Sequence, residues 1–187
     1  MELGWKLFDH GLNTPADGAQ KWQRALFKPF TYSKVELWRG QELAGKRIVL
    51  LGEQGIGDTM AFISLISKIV SKAAKVTLVV PVRLQKIYER SLPKCNILAD
   101  KNVRDNPLNE NEYDYQCPLG TMIQYLYKSV DDFKSRNFKL VADEKSKNAL
   151  REKYINIFEN EKPIIGISWQ GGGKKDRMID KSIEFLK

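Results

Sequence analysis

The stretch Gly52-Glu53-Gln54-Gly55-Ile56-Gly57-Asp58-Thr59 gathers residue types that do chemistry: three glycines that let backbone approach a ligand, two carboxylates and a hydroxyl. It follows the apolar run Arg47-Ile48-Val49-Leu50-Leu51 and precedes Phe62, Ile63, Ile66, Ile69 and Val70 at helical spacing, so it reads as a strand-to-helix turn. Ligands of parallel sheets bind at such turns, outside the carboxyl ends of the strands. Gly52 and Gly57 have the spacing of a phosphate-binding loop, but Asp58-Thr59 stands where that loop has Lys-Ser/Thr, and a carboxylate repels the phosphates a lysine attracts. The dinucleotide pattern G-x-G-x-x-G also fails: the glycines run in the opposite order, and the next strand ends in Pro81 without an acidic residue. Neither an ATPase nor a dehydrogenase is supported. What remains is a turn that sets Asp58 at a helix N-terminus. There it either caps the helix, worth about 1 kcal/mol, or accepts a proton from an attacking hydroxyl. The helix dipole lowers a carboxylate's basicity, so the second role needs the low dielectric of a closed cleft.

Other chemistries have little to work with. One histidine, His10, and two cysteines, Cys95 and Cys117, exclude the usual four-ligand structural zinc cluster, and no metal site is expected. The cysteine spacing matches neither a redox pair nor a secreted disulfide framework, so both read as buried thiols in a reducing compartment. Without a signal-peptide-like leader or an apolar run of the ~20 residues a membrane helix needs, the chain reads as cytoplasmic, with no transmembrane segment.

The 187 residues carry a formal charge of +8, which suits nucleic acid, anionic lipid or phosphorylated small molecules alike. Residues 66–104 hold nine Lys/Arg against Glu89 and Asp100, while 105–120 reverse sign through Asp105, Glu110, Glu112 and Asp114. Lys68, Lys72, Lys75, Arg83, Lys86 and Arg90 fall on polar helix positions and helix ends. They read as a solvated face, and with no recognition motif in the chain, no nucleic acid is expected as a partner.

The elements that must position the glycine turn follow from periodicity. Residues 3–27 suggest two short amphipathic helices around a turn, forming an arm over 1–40. Strands are expected at 47–52, 75–81, 96–99 and 113–117, with helices at 60–70 and 84–92 and a surface loop at 101–111. A long amphipathic helix is expected over 143–160, N-capped by Asp143. Alternating strands and helices imply βαβ units and a doubly wound, Rossmann-like parallel sheet, an α/β domain over 41–160. Pro163 to Trp169 then reads as a fresh buried strand, followed by Gly171-Gly172-Gly173 and part of a helix, the start of a second domain over 161–187.

Two segments resemble a known family. Trp38-Arg39-Gly40-Gln41-Glu42-Leu43-Ala44-Gly45-Lys46, running on to Gly52-Glu53-Gln54-Gly55-Ile56-Gly57-Asp58-Thr59, is similar to the W-x-G-x-x-L-x-G-K…G-E-Q-G-x-G-D-T signature of glycosyltransferase family 9, the heptosyltransferase-like proteins. The branch it resembles carries tetratricopeptide repeats ahead of the transferase, and Trp5 to Leu12 looks like the tail of that helical region. Ile165-Gly166-Ile167-Ser168-Trp169-Gln170-Gly171, then Lys181-Ser182-Ile183, is similar to the segment opening the family's second half. The resemblance implies a GT-B fold, two Rossmann-like halves with acceptor and nucleotide-sugar donor meeting in the cleft. It implies Asp58 as catalytic base, and Glu53, Gln54, Gly55 and Gly57 as substrate contacts. Gly171, Gly172 and Lys174, with Lys181 and Ser182, would hold the donor's phosphates. Backbone N–H groups at a helix start suit a diphosphate, although Lys181 stands where the family has an arginine and lacks its bidentate grip.

The expected function is therefore metal-independent, inverting transfer of a sugar from a nucleotide sugar to a glycan or protein hydroxyl, with no further cofactor. Only the acceptor-side half is expected to be complete in these 187 residues, and the chain alone is expected to be inactive. The alternative is a non-catalytic interaction module derived from this fold, binding a protein partner through its N-terminal helices.

Overall fold

A computed structural model describes residues 2–12, 34–53, 55–134, 138–158, 162–163 and 165–167. Its strands are β1 (Glu36–Leu37), β2 (Arg47–Leu51), β3 (Lys75–Val80), β4 (Cys95–Ala99) and β5 (Tyr115–Pro118). They form one all-parallel sheet in the order β1-β5-β2-β3-β4. β2 shows why it sits in the middle. Its apolar run has no polar side to offer solvent: Ile48 and Leu50 enter one cluster with Ile63, Ile66 and Tyr88, while Val49 and Leu51 enter another with Val79, Val103 and Tyr113.

Helices α2 (Ile56–Ile63), α3 (Ser67–Val70) and α4 (Val82–Ser91) supply the first cluster, and α5 (Asp100–Asp105) supplies Val103 to the second. The architecture is thus α/β, a five-stranded parallel sheet flanked by helices, as the alternating pattern implied. Among the described residues, no helix is long and apolar enough to cross a membrane.

Three local expectations need correction. The single helix expected over 60–70 is broken, because Leu65 and Ile66 donate to carbonyls three residues back, Phe62 and Ile63, at 3.0 and 3.2 Å. The break leaves both side chains buried. The expected loop at 101–111 is largely taken up by α5 and a 3-10 turn at Glu110–Glu112; one buried side chain among the described ones, Val103, leaves no period to read. In the expected strand from Pro163, the described residues 163 and 165–167 are outside any strand, with Ile165 83% and Ile167 72% exposed. A strand forms only where a neighbour completes its ladder, and no described strand follows β5.

The W-x-G-x-x-L-x-G stretch leading into β2 has a structural role. The Trp38 indole is buried, donates to the Gln41 carbonyl at 2.8 Å, and meets Tyr125 edge-on. Gly40, at φ 95°, lies so close to Tyr125 that a Cβ would stand 3.2 Å from its ring. Leu43 is 1% exposed, and Gly45, at φ 72°, turns the chain into β2.

At the amino ends of the strands, Asp114 accepts from the Arg47 backbone N–H at 2.8 Å and from its guanidinium at 3.1 Å. Beyond β5, α6 (Ile123–Leu126) leads to a polar knot: the Lys68 ammonium donates to the Leu126 carbonyl at 2.8 Å and Asp132 at 2.9 Å, above the Tyr127 ring. At the N-terminus, α1 (Glu2–Asp9) is followed by a 3-10 turn, His10–Leu12. Its Phe8 ring meets Trp5 and Phe62 edge-on, and Trp5 packs on the core.

The chain divides into two compact units, 1–143 and 144–187. In the second, α7 (Glu144–Phe158) has no buried residue, and Leu150, Ile157 and Phe158 are exposed.

Candidate functional site at the strand ends

The sheet order sets the location. From β2 the chain steps one way to β3 and β4, then returns to place β5 on the other side of β2. Leu51, at the carboxyl end of β2, consequently pairs with Val79 on one side and Pro118 on the other. The strand order reverses here, at a topological switch point, the kind of position where open parallel sheets bind their ligands. The loops after β2 and β5 are 52–55 and 119–122.

Gly52 holds the first loop close to the sheet. Its N–H donates to the Val79 carbonyl at 2.7 Å, and a Cβ at this position would lie 2.6 Å from the same oxygen. Glu53 follows with its side chain turned inward. It is 3% exposed, and its carboxylate Oε1 accepts from the Gly120 N–H at 2.6 Å. The Glu53 carbonyl accepts from the buried Thr59 hydroxyl at 3.3 Å, tying the loop to the first turn of α2. On the facing loop, the Leu119 N–H donates to the Leu51 carbonyl at 3.0 Å.

Asp58 is exposed on the first turn of α2. The N-cap is Gly55; Asp58 lies three residues further on and reaches back, so that its Oδ2 accepts from the Gly55 N–H at 3.2 Å. One oxygen thus performs half of a capping box. The other, Oδ1, carries no hydrogen bond among the described residues. Gly57, between them, is exposed, and a Cβ there would meet nothing within 4 Å.

Of the residues singled out by sequence, the structure therefore brings Glu53, Gly55, Gly57 and Asp58 to one turn at the switch point. Gln54, Gly171, Gly172, Lys174, Lys181 and Ser182 lie outside the described residues. Sequence reasoning missed the partner loop. Gly120 and Thr121 follow Pro118 at the end of β5, and a Pro-Leu-Gly-Thr turn after an expected strand was the available signal. It also missed Asp9, whose carboxylate accepts from the Thr121 hydroxyl at 2.8 Å and from the Gln124 amide. A separate cavity of about 100 Å³ beside Trp38, Leu43, Lys72 and Tyr125 takes no residue from either loop.

With this geometry in view, one relative stands out. Protein FlbA of Caulobacter vibrioides is 31% identical over an alignment of 118 residues that covers 57% of this chain and 20% of that protein. The chain thus corresponds to about a fifth of that relative's length. No family model matches the chain, and no solved structure does.

Proposed function

We propose that this chain contributes the acceptor-side half of a GT-B glycosyltransferase-like protein, with Asp58 as the base that deprotonates an acceptor hydroxyl. The observation that carries this reading is an exposed carboxylate, one oxygen of which has no hydrogen bond among the described residues, on the first turn of the helix leaving the switch point. The Gly55 N–H fixes Oδ2 and leaves Oδ1 to face a bound hydroxyl, the geometry a general base needs. The resemblance of residues 38–59 to family 9 sequences supports the same role. In this reading a second Rossmann-like half of the longer protein, to which Gly171, Gly172 and Lys174 belong, holds the nucleoside diphosphate that leaves as the acceptor oxygen attacks the anomeric carbon and gives its proton to Asp58. Charge on that diphosphate is met by backbone N–H groups and lysine.

The test uses a protein containing both halves, assayed with a panel of nucleotide sugars. Asp58→Asn should lower turnover by about 10²-fold or more, as expected for loss of a general base. The 187-residue chain alone should show none. Turnover by Asp58→Asn within about threefold of the parent would exclude Asp58 as the base. A non-catalytic interaction module is the second reading, favoured by Leu3 and Leu7, which stand 70% and 57% exposed on α1. It predicts no turnover with any donor and partner binding lost on Leu3→Glu.

A further inference from the structure

The loop after β5 is held from two directions. From the sheet, the buried Glu53 carboxylate takes the Gly120 N–H at 2.6 Å. From the N-terminal helix, the Asp9 carboxylate takes the Thr121 hydroxyl at 2.8 Å and the Gln124 amide. Gly120 and Thr121 are adjacent, so any movement of one carboxylate relative to the other is felt in a single peptide unit. The helix that carries Asp9 is itself seated by apolar contacts, with Trp5 packed on the core and Phe8 against Phe62 of α2. α2 is also the helix that bears Asp58. The first turn of α2 and the 119–124 turn, which follow neighbouring strands, therefore both belong to elements that α1 touches.

We infer that Asp9 is a positioning residue for the loop after β5: through Thr121 and Gln124 it sets the 119–124 turn, so docking of the N-terminal helix and the conformation of that turn are one coupled equilibrium. Two carboxylates gripping neighbouring residues over-determine that turn. With α1 released, the turn loses the Asp9 contacts while Glu53 and the Leu119 bond to Leu51 remain, and it opens locally without unfolding the sheet. The inference concerns the turn itself and stands apart from the sugar-transfer reading.

The test needs no ligand. Amide hydrogen exchange is followed in the whole chain for Asp9→Ala, Thr121→Val, their combination, and Thr121→Ser, which keeps the hydroxyl donor. The Gly120 and Thr121 amides should exchange about tenfold faster in each of the first two variants, and the combination should be no faster than either. Thr121→Ser should stay within about twofold of the parent, while Val49 and Leu78 in the central strands keep their protection. Unchanged exchange at Gly120 when Lys6 to Asp9 lose protection would show a helix that merely rests on the surface, and would overturn the inference. Faster exchange at Val49 and Leu78 in step with Gly120, or additive effects in the combination, would overturn it as well.

Discussion

Glu53 Oε1 stands 2.6 Å from the backbone nitrogen of Gly120, joining two buried residues that are 67 apart in sequence. The bond ties the loop leaving β2 to the loop leaving β5 at the point where the sheet changes direction. An inward carboxylate in a glycine-rich turn thus joins the two loops while Asp58, on the same turn, faces solvent.

Replacing Glu53 should separate the bond from the charge. Glu53→Gln keeps an acceptor oxygen at the same reach, whereas Glu53→Ala leaves the buried Gly120 N–H unpaired, an omission that costs about 1–3 kcal/mol. Urea unfolding should show the alanine variant less stable than the glutamine variant by that amount. Equal losses would mean that the charge, rather than the bond to Gly120, is what the loop requires.

The glycines of the turn should respond oppositely to alanine. At Gly52 a Cβ would lie 2.6 Å from the Val79 carbonyl, so the backbone of β2 or β3 must shift, and overpacking of this kind costs about 1–3 kcal/mol. At Gly57 nothing stands within 4 Å, and the residue occupies the first turn of α2. Gly57→Ala should therefore stabilise the fold by about 0.5–1 kcal/mol. Should turnover of the longer protein fall while thermal stability rises in Gly57→Ala, the open space over that residue is where substrate backs onto the chain.

How much of this was legible depends on whether the signal is local. β2 and β3 are continuous apolar runs, and α4 repeats Leu84 and Tyr88 one turn apart, so sequence placed them within a residue or two. β1 is two residues long with Leu37 exposed, and among the described side chains of α5 only Val103 is buried; neither carries a period. At the site, the glycine turn and Asp58 were visible because their spacing is local. The inward turn of Glu53 was not, because its partner Gly120 belongs to another strand's exit, and the grip of Asp9 on Thr121 spans 112 residues. Exposure at Ile165 and Ile167 marks the converse case, in which an apolar run alone does not make a buried strand.

Acid should weaken the knot beside α6. The Lys68 hydrogen bond, helped by the backbone N–H and hydroxyl of Ser129, holds the Asp132 carboxyl well below the usual carboxylate range. Because the folded pKa is the lower one, this stabilisation is complete above the unfolded value of about 4 and is lost as pH falls toward the folded value. Asp132→Asn should be less stable than the parent at neutral pH, and the gap should narrow steadily below about pH 4. A gap that stays constant down to pH 2 in urea titrations would assign the effect to shape rather than charge.

Tyr88 offers the opposite sign. Its side chain is fully buried on α4, tilted against Phe138, and its hydroxyl has no hydrogen-bond partner among the described residues. A buried hydroxyl without a partner costs roughly 1–3 kcal/mol in desolvation, and the ring's packing does not need it. Tyr88→Phe should therefore raise stability by about 1 kcal/mol at neutral pH. Burial also pushes the phenol up to about 12, against about 10 when unfolded. Unfolding then releases a proton above pH 10, so the parent loses stability between pH 10 and 12. The phenylalanine variant should lack that contribution, and its advantage in thermal melts should widen across the same interval. A loss of stability in Tyr88→Phe at neutral pH would instead reveal a partner for the hydroxyl, a bound water or a residue of another segment.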